Sequence, residues 1–387
     1  FFNSERSLRR DTKFAIILLK ITLALSITLG LPPFRYNFTK RTLESSRITL
    51  IYSIAIYMGI IITLVVIVPD IHQKIDLSFF REKPINGIIN AIEIAISALA
   101  LLVTLYYNWT GRQNLLHICK EMCAIYFDYF KQCKLFERKS DFFDQFVIIQ
   151  TFLTFYQIAL GWYTLISFFS MYSFDLWLIT ILWIGTLESV VVLIKNHFNN
   201  AILFVCIGFQ ELNNDLESLA DMVKLNLSDP GKSIVAFIYQ RLLVLGLRII
   251  KSYQLQVLML IAATVITNIV NCFFFLRFIK MQLWKYDVYV FLLFPHLVLL
   301  NLMEFWICIT ICELTVNAAS NTPEILKQFG TCCILDDLET FSLFCSHNKL
   351  RFRLCNIIDL NHKTGHATME TTILYLIFLI QFDYRNL

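Results

Sequence analysis

The sequence predicts an all-helical bundle of about seven transmembrane spans in inverted topology, with a cytosolic N-terminus and an extracellular C-terminus. Three observations carry this expectation. Of 387 residues, 57% are hydrophobic and 16% charged, whereas a soluble chain carries about a quarter charged residues. Apolar runs long enough to cross ~30 Å of hydrocarbon recur along the whole chain. Lys and Arg lie unevenly on the two sides of those runs. Gly and Pro number only 11 and 7, which favours long helices over a strand-and-turn barrel.

Segment 1–47 is expected to be cytosolic. Its apolar stretch 14–31 is interrupted by Lys20, Thr22, Ser26 and Thr28 and closed by Pro32 and Pro33. It therefore reads as an interfacial or packed helix, not an eighth span, and with no small-residue site after it no cleavable signal peptide is expected. Spans one to four fall in 48–194, at 48–69, 86–107, 146–170 and 174–194. Segment 115–136 between the second and third spans reads as a cytosolic helix, with Lys120, Glu121, Lys131 and Lys134 between apolar positions. Segment 195–254 contains a helical continuation of the fourth span, 196–223, that breaks only at Ser228–Asp229–Pro230–Gly231. Spans five and six occupy 255–311, at 255–276 and 287–311. Segment 312–365 returns to the cytosol. The last span is 366–387, whose strictly apolar part, 371–382, is short.

With this arrangement 26 of the 33 Lys and Arg residues are cytosolic and 7 are external, as the positive-inside rule requires. The sequons at Asn37, Asn108 and Asn226 fall on the cytosolic side and should carry no glycan. Eleven Cys, none in an external loop, argue against a disulfide framework. Cys332–Cys333 is a candidate for palmitoylation, although buried thiols explain it more simply.

Motifs of soluble enzymes are poor, and no cofactor is expected. Gly231–Lys232–Ser233 lacks the first Gly of a phosphate loop and the strand before it. His362 and His366 stand four apart, but no third metal ligand is evident, and a solvated linker pair is the plainer account. A net charge of +4 gives no footprint for nucleic acid.

Ionisable residues inside spans carry more information, because each costs a few kcal/mol unless it faces protein or water. Glu93, Glu188, His296 and Glu304 are such residues. Interhelical hydrogen bonding accounts best for Glu188 and Glu304. Glu93 and His296 lie in the outer half, where a ligand from outside would bind, and both readings stay open. At the same level stand Tyr156, Trp162, Tyr163, Trp177, Asn268 and Asn271. An aromatic belt suffices for Trp162 and Trp177. The two Asn lie deeper and need partners, so Glu93, Tyr156, Trp177, Asn268, Asn271 and His296 are the candidate pocket for a small amphiphile.

On the last span, Thr371, Leu374, Phe378, Gln381 and Arg385 fall on one helical stripe. Facing lipid, Gln381 and Arg385 would be costly; facing a narrow aqueous path, bulky apolar rings can hold a pore closed by dewetting. A short helix packed in its own bundle remains the alternative.

Tyr375, five apolar residues and Gln381–Phe382 resemble the terminal pattern of the insect gustatory receptor family. Gly30–Leu31–Pro32–Pro33–Phe34–Arg35 is similar to that family's segment before the first span, and Phe209-x-x-Leu212–Asn213-x-x-Leu216 to its run beneath the fourth. Leu374 stands where the family has Thr, and Asn356 where a small residue, often Gly, is usual. The resemblance implies a subunit of a ligand-gated, non-selective cation channel, a homo- or heterotetramer in the plasma membrane of a sensory neuron's dendrite. It implies a pore lined by the last span, with Leu374 and Phe378 on its wall and Gln381 and Phe382 at the gate. It also implies a tastant pocket in the outer half of each bundle, and an inter-subunit anchor built from the cytosolic helices. A sister-family odorant receptor, a transporter and a membrane enzyme are the alternatives. A G-protein-coupled receptor is opposed by the Lys/Arg distribution.

Overall fold

The computed structural model describes residues 10–31, 34–37, 42–62, 65, 84–127, 141–170, 177–224, 232–280, 288–327 and 336–385. Among them the chain forms ten helices: α1 (Arg10–Thr28), α2 (Arg47–Ile62), α3 (Pro84–Thr110), α4 (Arg112–Ile125), α5 (Asp141–Ser170), α6 (Trp177–Lys224), α7 (Lys232–Lys280), α8 (Val288–Lys327), α9 (Asp336–His347) and α10 (His362–Arg385). Two short antiparallel pairs complete it, β1 (Phe34–Asn37) with β2 (Thr42–Ser45) and β3 (Arg353–Leu354) with β4 (Ile358–Asp359). The fold is all-helical, as expected. Helices α3, α5, α6, α7 and α8 are long and apolar enough to cross a bilayer, while α2 is a shorter apolar helix of 16 residues.

α6 is the central post. Of its most apolar stretch 72% is buried, against 22–44% in the other four. It has no Pro, and its 48 residues run unbroken for ~72 Å, more than twice the hydrocarbon thickness. α7, with 49 residues, does the same beside it. The expected continuation 196–223 is therefore present; the expected break at 228–231 lies outside the described residues. So does the second half of the expected 115–136 helix, beyond Phe127.

α1 packs on α5 and α6 with Ala15, Thr22 and Ser26 buried, and Ser26 Oγ lies 2.7 Å from His197 Nε2. Its other face exposes Phe14, Ile17, Ile21, Leu23 and Ile27. The Gly30–Leu31 pair ends this helix. Gly30 has φ +69°, its N–H donates to Ile27 O, and the N–H of Leu31 donates to Ser26 O, both at 3.0 Å. This is the Schellman arrangement, in which Gly takes the left-handed position and the next residue, here Leu31, is buried.

The second family segment is equally structural. Phe209, Leu212, Asn213 and Leu216 are all buried. Asn213 Nδ2 donates to Ala318 O at 2.8 Å, and Thr322 Oγ1 donates to Asn213 Oδ1 at 2.7 Å. The clamp sits where Pro323 lies inside α8 and leaves the Ala319 carbonyl without its intrahelical donor. Phe209, Tyr239, Phe341 and Phe344 form an aromatic cluster that seats α9. Arg241 Nε pairs with Glu121 Oε1 at 2.7 Å and ties α4 to α7.

The β3–β4 turn holds Cys355 and Asn356 at φ +47° and +57°, with Ile357 N donating to Leu354 O at 2.9 Å. Two consecutive left-handed residues define a type I′ turn. That geometry explains the small residue usual at 356: Gly removes the Cβ clash, and Asn is the next best tolerated.

Candidate functional site

Four of the candidate pocket residues, Glu93, Tyr156, Asn268 and His296, meet a partner on another helix. Tyr156 on α5 hydrogen-bonds His296 on α8 at 2.6 Å, and Phe152 stacks on Tyr156 with centroids 6.3 Å apart. Pro295, immediately before His296, lies inside α8, where it removes a backbone donor and loosens the helix at the level of the pair. Asn268 on α7, 3% exposed, accepts a bond of 3.0 Å from Asn301 Nδ2 on α8. Glu93 on α3 lies beside Thr267 on α7. Asn271 is half-buried and makes no side-chain hydrogen bond among the described residues. The side chain of Trp177 lies outside the described residues. Asn301 and Thr267 are the partners that sequence reasoning missed; each lies near a residue that was singled out, but on its helix face nothing distinguishes it.

Two small, partly open cavities lie between the helices. One, of about 10 Å³, is lined by Gln150, Leu153, Thr154, Asn196, Asn199, Glu304 and Ile307. The other, of about 40 Å³, lies between α6, α7 and α8, against Lys195, Phe198, Asn199, Thr264, Asn301 and Glu304. None of the six candidate pocket residues lines either cavity. Glu304 is held by Lys195 Nζ at 2.8 Å. Sequence reasoning gave Glu304 a role in helix association but did not find Lys195, which is 109 residues away.

Glu188 is seated differently. A Cβ on Gly161 would stand 2.2 Å from its Oε2, so the glycine on α5 is the notch that admits the carboxylate. Gly185 on α6 mirrors it, receiving the Trp162 indole, whose Nε1 donates to Ser189 Oγ at 3.2 Å. Trp162 is thus a helix-packing residue and not a belt residue; Tyr163, 61% exposed, fits the belt.

α10 begins on a built cap. Asn361 Oδ1 accepts from the Thr364 N–H at 2.9 Å, and the His362 N–H donates to Glu313 Oε2 at 2.6 Å, a carboxylate placed at the positive end of the helix. His362 and His366 do not form a solvated linker, because their rings flank the Trp306 indole at 5.2 and 5.1 Å. Gly365 permits this crossing: a Cβ there would lie 2.9 Å from Ile309 Cδ1 and 3.1 Å from Trp306. Among the described residues no cluster of three or more metal-ligating side chains occurs. Further along, Leu376 and Leu379 pack against Val270, Phe273 and Phe274 of α7. Leu374 (66% exposed), Phe378 (61%) and Gln381 lie on the face turned away from that contact. Tyr375 is exposed beside them. The Phe382 side chain lies outside the described residues.

The chain is thus a bundle of apolar helices with long extensions, polar pairs between helices and a last helix bare on one side. It matches an olfactory receptor of Machilis hrabei solved in complex with eugenol, at TM-score 0.68 and 11% identity, over 95% of this chain and 99% of that one. A second structure of that receptor gives TM-score 0.65 over the same shares. The profile described as 7tm Chemosensory receptor matches residues 19–386. Among Drosophila melanogaster relatives in the gustatory receptor 22 group, 22b is 30% identical over the full length of both chains. The one named gustatory receptor for bitter taste 22e is 27% identical over 97% of each. The chain belongs to the 7tm chemosensory receptor family, within its insect gustatory receptors, and is a multi-pass membrane protein. The family is one of receptors rather than enzymes, and the sequence relatives favour the gustatory over the sister odorant branch.

Proposed function

We propose that this chain is a gustatory receptor subunit that opens a non-selective cation pore when a small tastant binds, as a homo- or heterotetramer in the dendritic membrane of a sensory neuron. The observation that carries the reading is α10. Beyond its crossing with Trp306 this last helix packs on the bundle through Leu376 and Leu379, and Leu374 and Phe378 opposite them are among the most exposed apolar residues in the chain. They share their face with the amide of Gln381, which is expensive against lipid and useful against a hydrated cation. Four copies of this stripe around an axis make a wall that dewets when narrow, with Gln381 and Phe382 as the gate. α2 and α10, added to the five long apolar helices, give seven spans, and the Lys/Arg excess supports a cytosolic N-terminus. Segments 195–254 and 312–365 then form the cytosolic anchor between subunits, and catalysis has no part in the function.

The ligand is a small amphiphile, entering from outside among Glu93, Tyr156, Trp177, Asn268, Asn271 and His296. Its chemistry is supported by a relative named for bitter taste and a structural neighbour solved with eugenol. The three interhelical pairs at this level give such a ligand donors and acceptors to compete for. The test is current recorded from cells expressing the chain, across a tastant panel. Phe382→Ala is expected to leak cations without ligand, and Gln381→Leu to lower single-channel conductance with assembly intact. A Phe382→Ala channel that reaches the surface, answers agonist normally and shows no leak rules out Phe382 as the gate. A glycan shift abolished by Asn37→Gln overturns the topology.

A further inference from the structure

The deep polar centre around Lys195 and Glu304 belongs to neither the outer pocket nor the pore face. Gln150, Asn199 and Glu304 are 4, 3 and 9% exposed, and all three line the 10 Å³ cavity. Gln150 Oε1 has no partner among the described residues, and Asn199 makes no hydrogen bond among them. Glu304 spends Oε2 on Lys195, whose Nζ also reaches Thr264 Oγ1 at 3.4 Å. Asn199 also faces the 40 Å³ cavity, together with Lys195, Thr264 and Glu304. A buried amide oxygen left without a partner is costly, because it has given up its hydrogen bond to water. What Gln150 Oε1 lacks is a donor, and the Asn199 carbonyl and Glu304 carboxylate that line the same cavity can also accept.

We propose that these cavities are a water-binding site, in which ordered water bridges Gln150, Asn199 and Glu304 and completes the solvation of the Lys195–Glu304 pair. The sizes agree: about 10–15 Å³ holds one water, so the small cavity takes one and the larger about three. A monovalent cation suits the oxygens but not the charge, because Lys195 already neutralises Glu304 and a net positive charge would be left buried. An organic ligand is too large, since a cavity of about 150 Å³ is what admits benzene. The centre is bound directly to the outer level, for Glu304 follows Asn301 by three residues and Thr264 precedes Asn268 by four, less than or about one turn on α8 and α7. α8 therefore meets α6 through a hydrated joint that can exchange partners, not a dry contact.

Radiolytic hydroxyl labelling of the full chain in lipid nanodiscs tests this, because radicals form from the bound water itself. Phe198, 1% exposed, lines the larger cavity, whereas Phe209 and Phe273, 0 and 2% exposed, line neither. Phe198 should be hydroxylated about fivefold or more faster than both. Asn199→Leu, which intrudes on both cavities, and the isosteric Thr264→Val, which removes a polar group from the larger one, should each bring Phe198 down towards their rate. A wild-type Phe198 rate equal to that of Phe209 overturns the proposal whether or not the variants fold, and so does a fast rate unchanged in both variants. The labelling is read without ligand or current, so it stands or falls separately from the channel reading.

Discussion

Truncating Asn213 tests the claim that the family segment beneath the fourth span is a polar clamp. Asn213→Ala removes two buried hydrogen bonds, to Ala318 O and from Thr322 Oγ1, each with a net contribution of about 0.5–1.5 kcal/mol. Thr322 is fully buried, but its hydroxyl can turn to the Ala318 carbonyl four residues earlier, so one bond re-forms and no orphan is left. The net loss of one bond, with ~1 kcal/mol added for the cavity, gives about 1.5–2.5 kcal/mol. For a chain of this length, ~1–2 °C per kcal/mol corresponds to a fall in Tm of roughly 2–5 °C. The assay is a thermal ramp in detergent read by fluorescence-detected size-exclusion chromatography. Asn213→Leu with Thr322→Val should recover more than half of the loss of Asn213→Leu alone, because removing both partners of a buried bond is nearly neutral. An Asn213→Ala protein within ~1 °C of wild type, or a double variant as unstable as the two losses added, refutes the clamp.

Other expectations follow from close approaches and burial. Gly365→Leu drives a side chain into Ile309 and Trp306; assembly on native gels should fall severely, while Ala367→Leu, at an exposed position, leaves it intact. Gly161→Ala displaces the Glu188 carboxylate, and Gly161→Ala with Glu188→Ala should melt higher than Gly161→Ala alone. Burial pushes the Cys345 thiol up to about 12, although its hydrogen bond with Tyr239 pulls it back. The thiolate is scarce until pH approaches that value, so maleimide at pH 8 should label Cys345 only after denaturation; native labelling would show that α9 opens.

How much of this was legible in the sequence differs residue by residue. The absence of Pro and the apolar spacing after Lys195 were enough to foresee that α6 continues far beyond the membrane. Leu374, Phe378 and Gln381 were recognisable as one stripe because a helix fixes the relative bearing of its own side chains. Which neighbour a face meets is another matter, since that depends on how each helix is rotated and raised against the next. Lys195 reads as a charge ending a span, and only packing shows that it serves Glu304. Glu188 was searched for a polar partner, whereas its seat is made by the missing side chain of Gly161. The spacing of His362 and His366 suits a metal pair or, more plainly, a solvated linker, while the crossing at Gly365 packs both rings against Trp306. Gly30–Leu31 and Asn213 matched a family pattern, but the Schellman cap and the clamp at Pro323 are long-range or conformational facts that no spacing reveals.

The central claim is that the exposed stripe of α10 lines a cation path. Leu374→Cys and Phe378→Cys place thiols on that stripe, and Leu376→Cys and Leu379→Cys place them on the side packed against α7. Agonist-evoked current is recorded before and after a charged, membrane-impermeant methanethiosulfonate reagent. Block that is irreversible at positions 374 and 378 and absent at 376 and 379 is the predicted result. Equal modification on both sides, or current untouched at 374 and 378 in channels that open normally, would contradict the account.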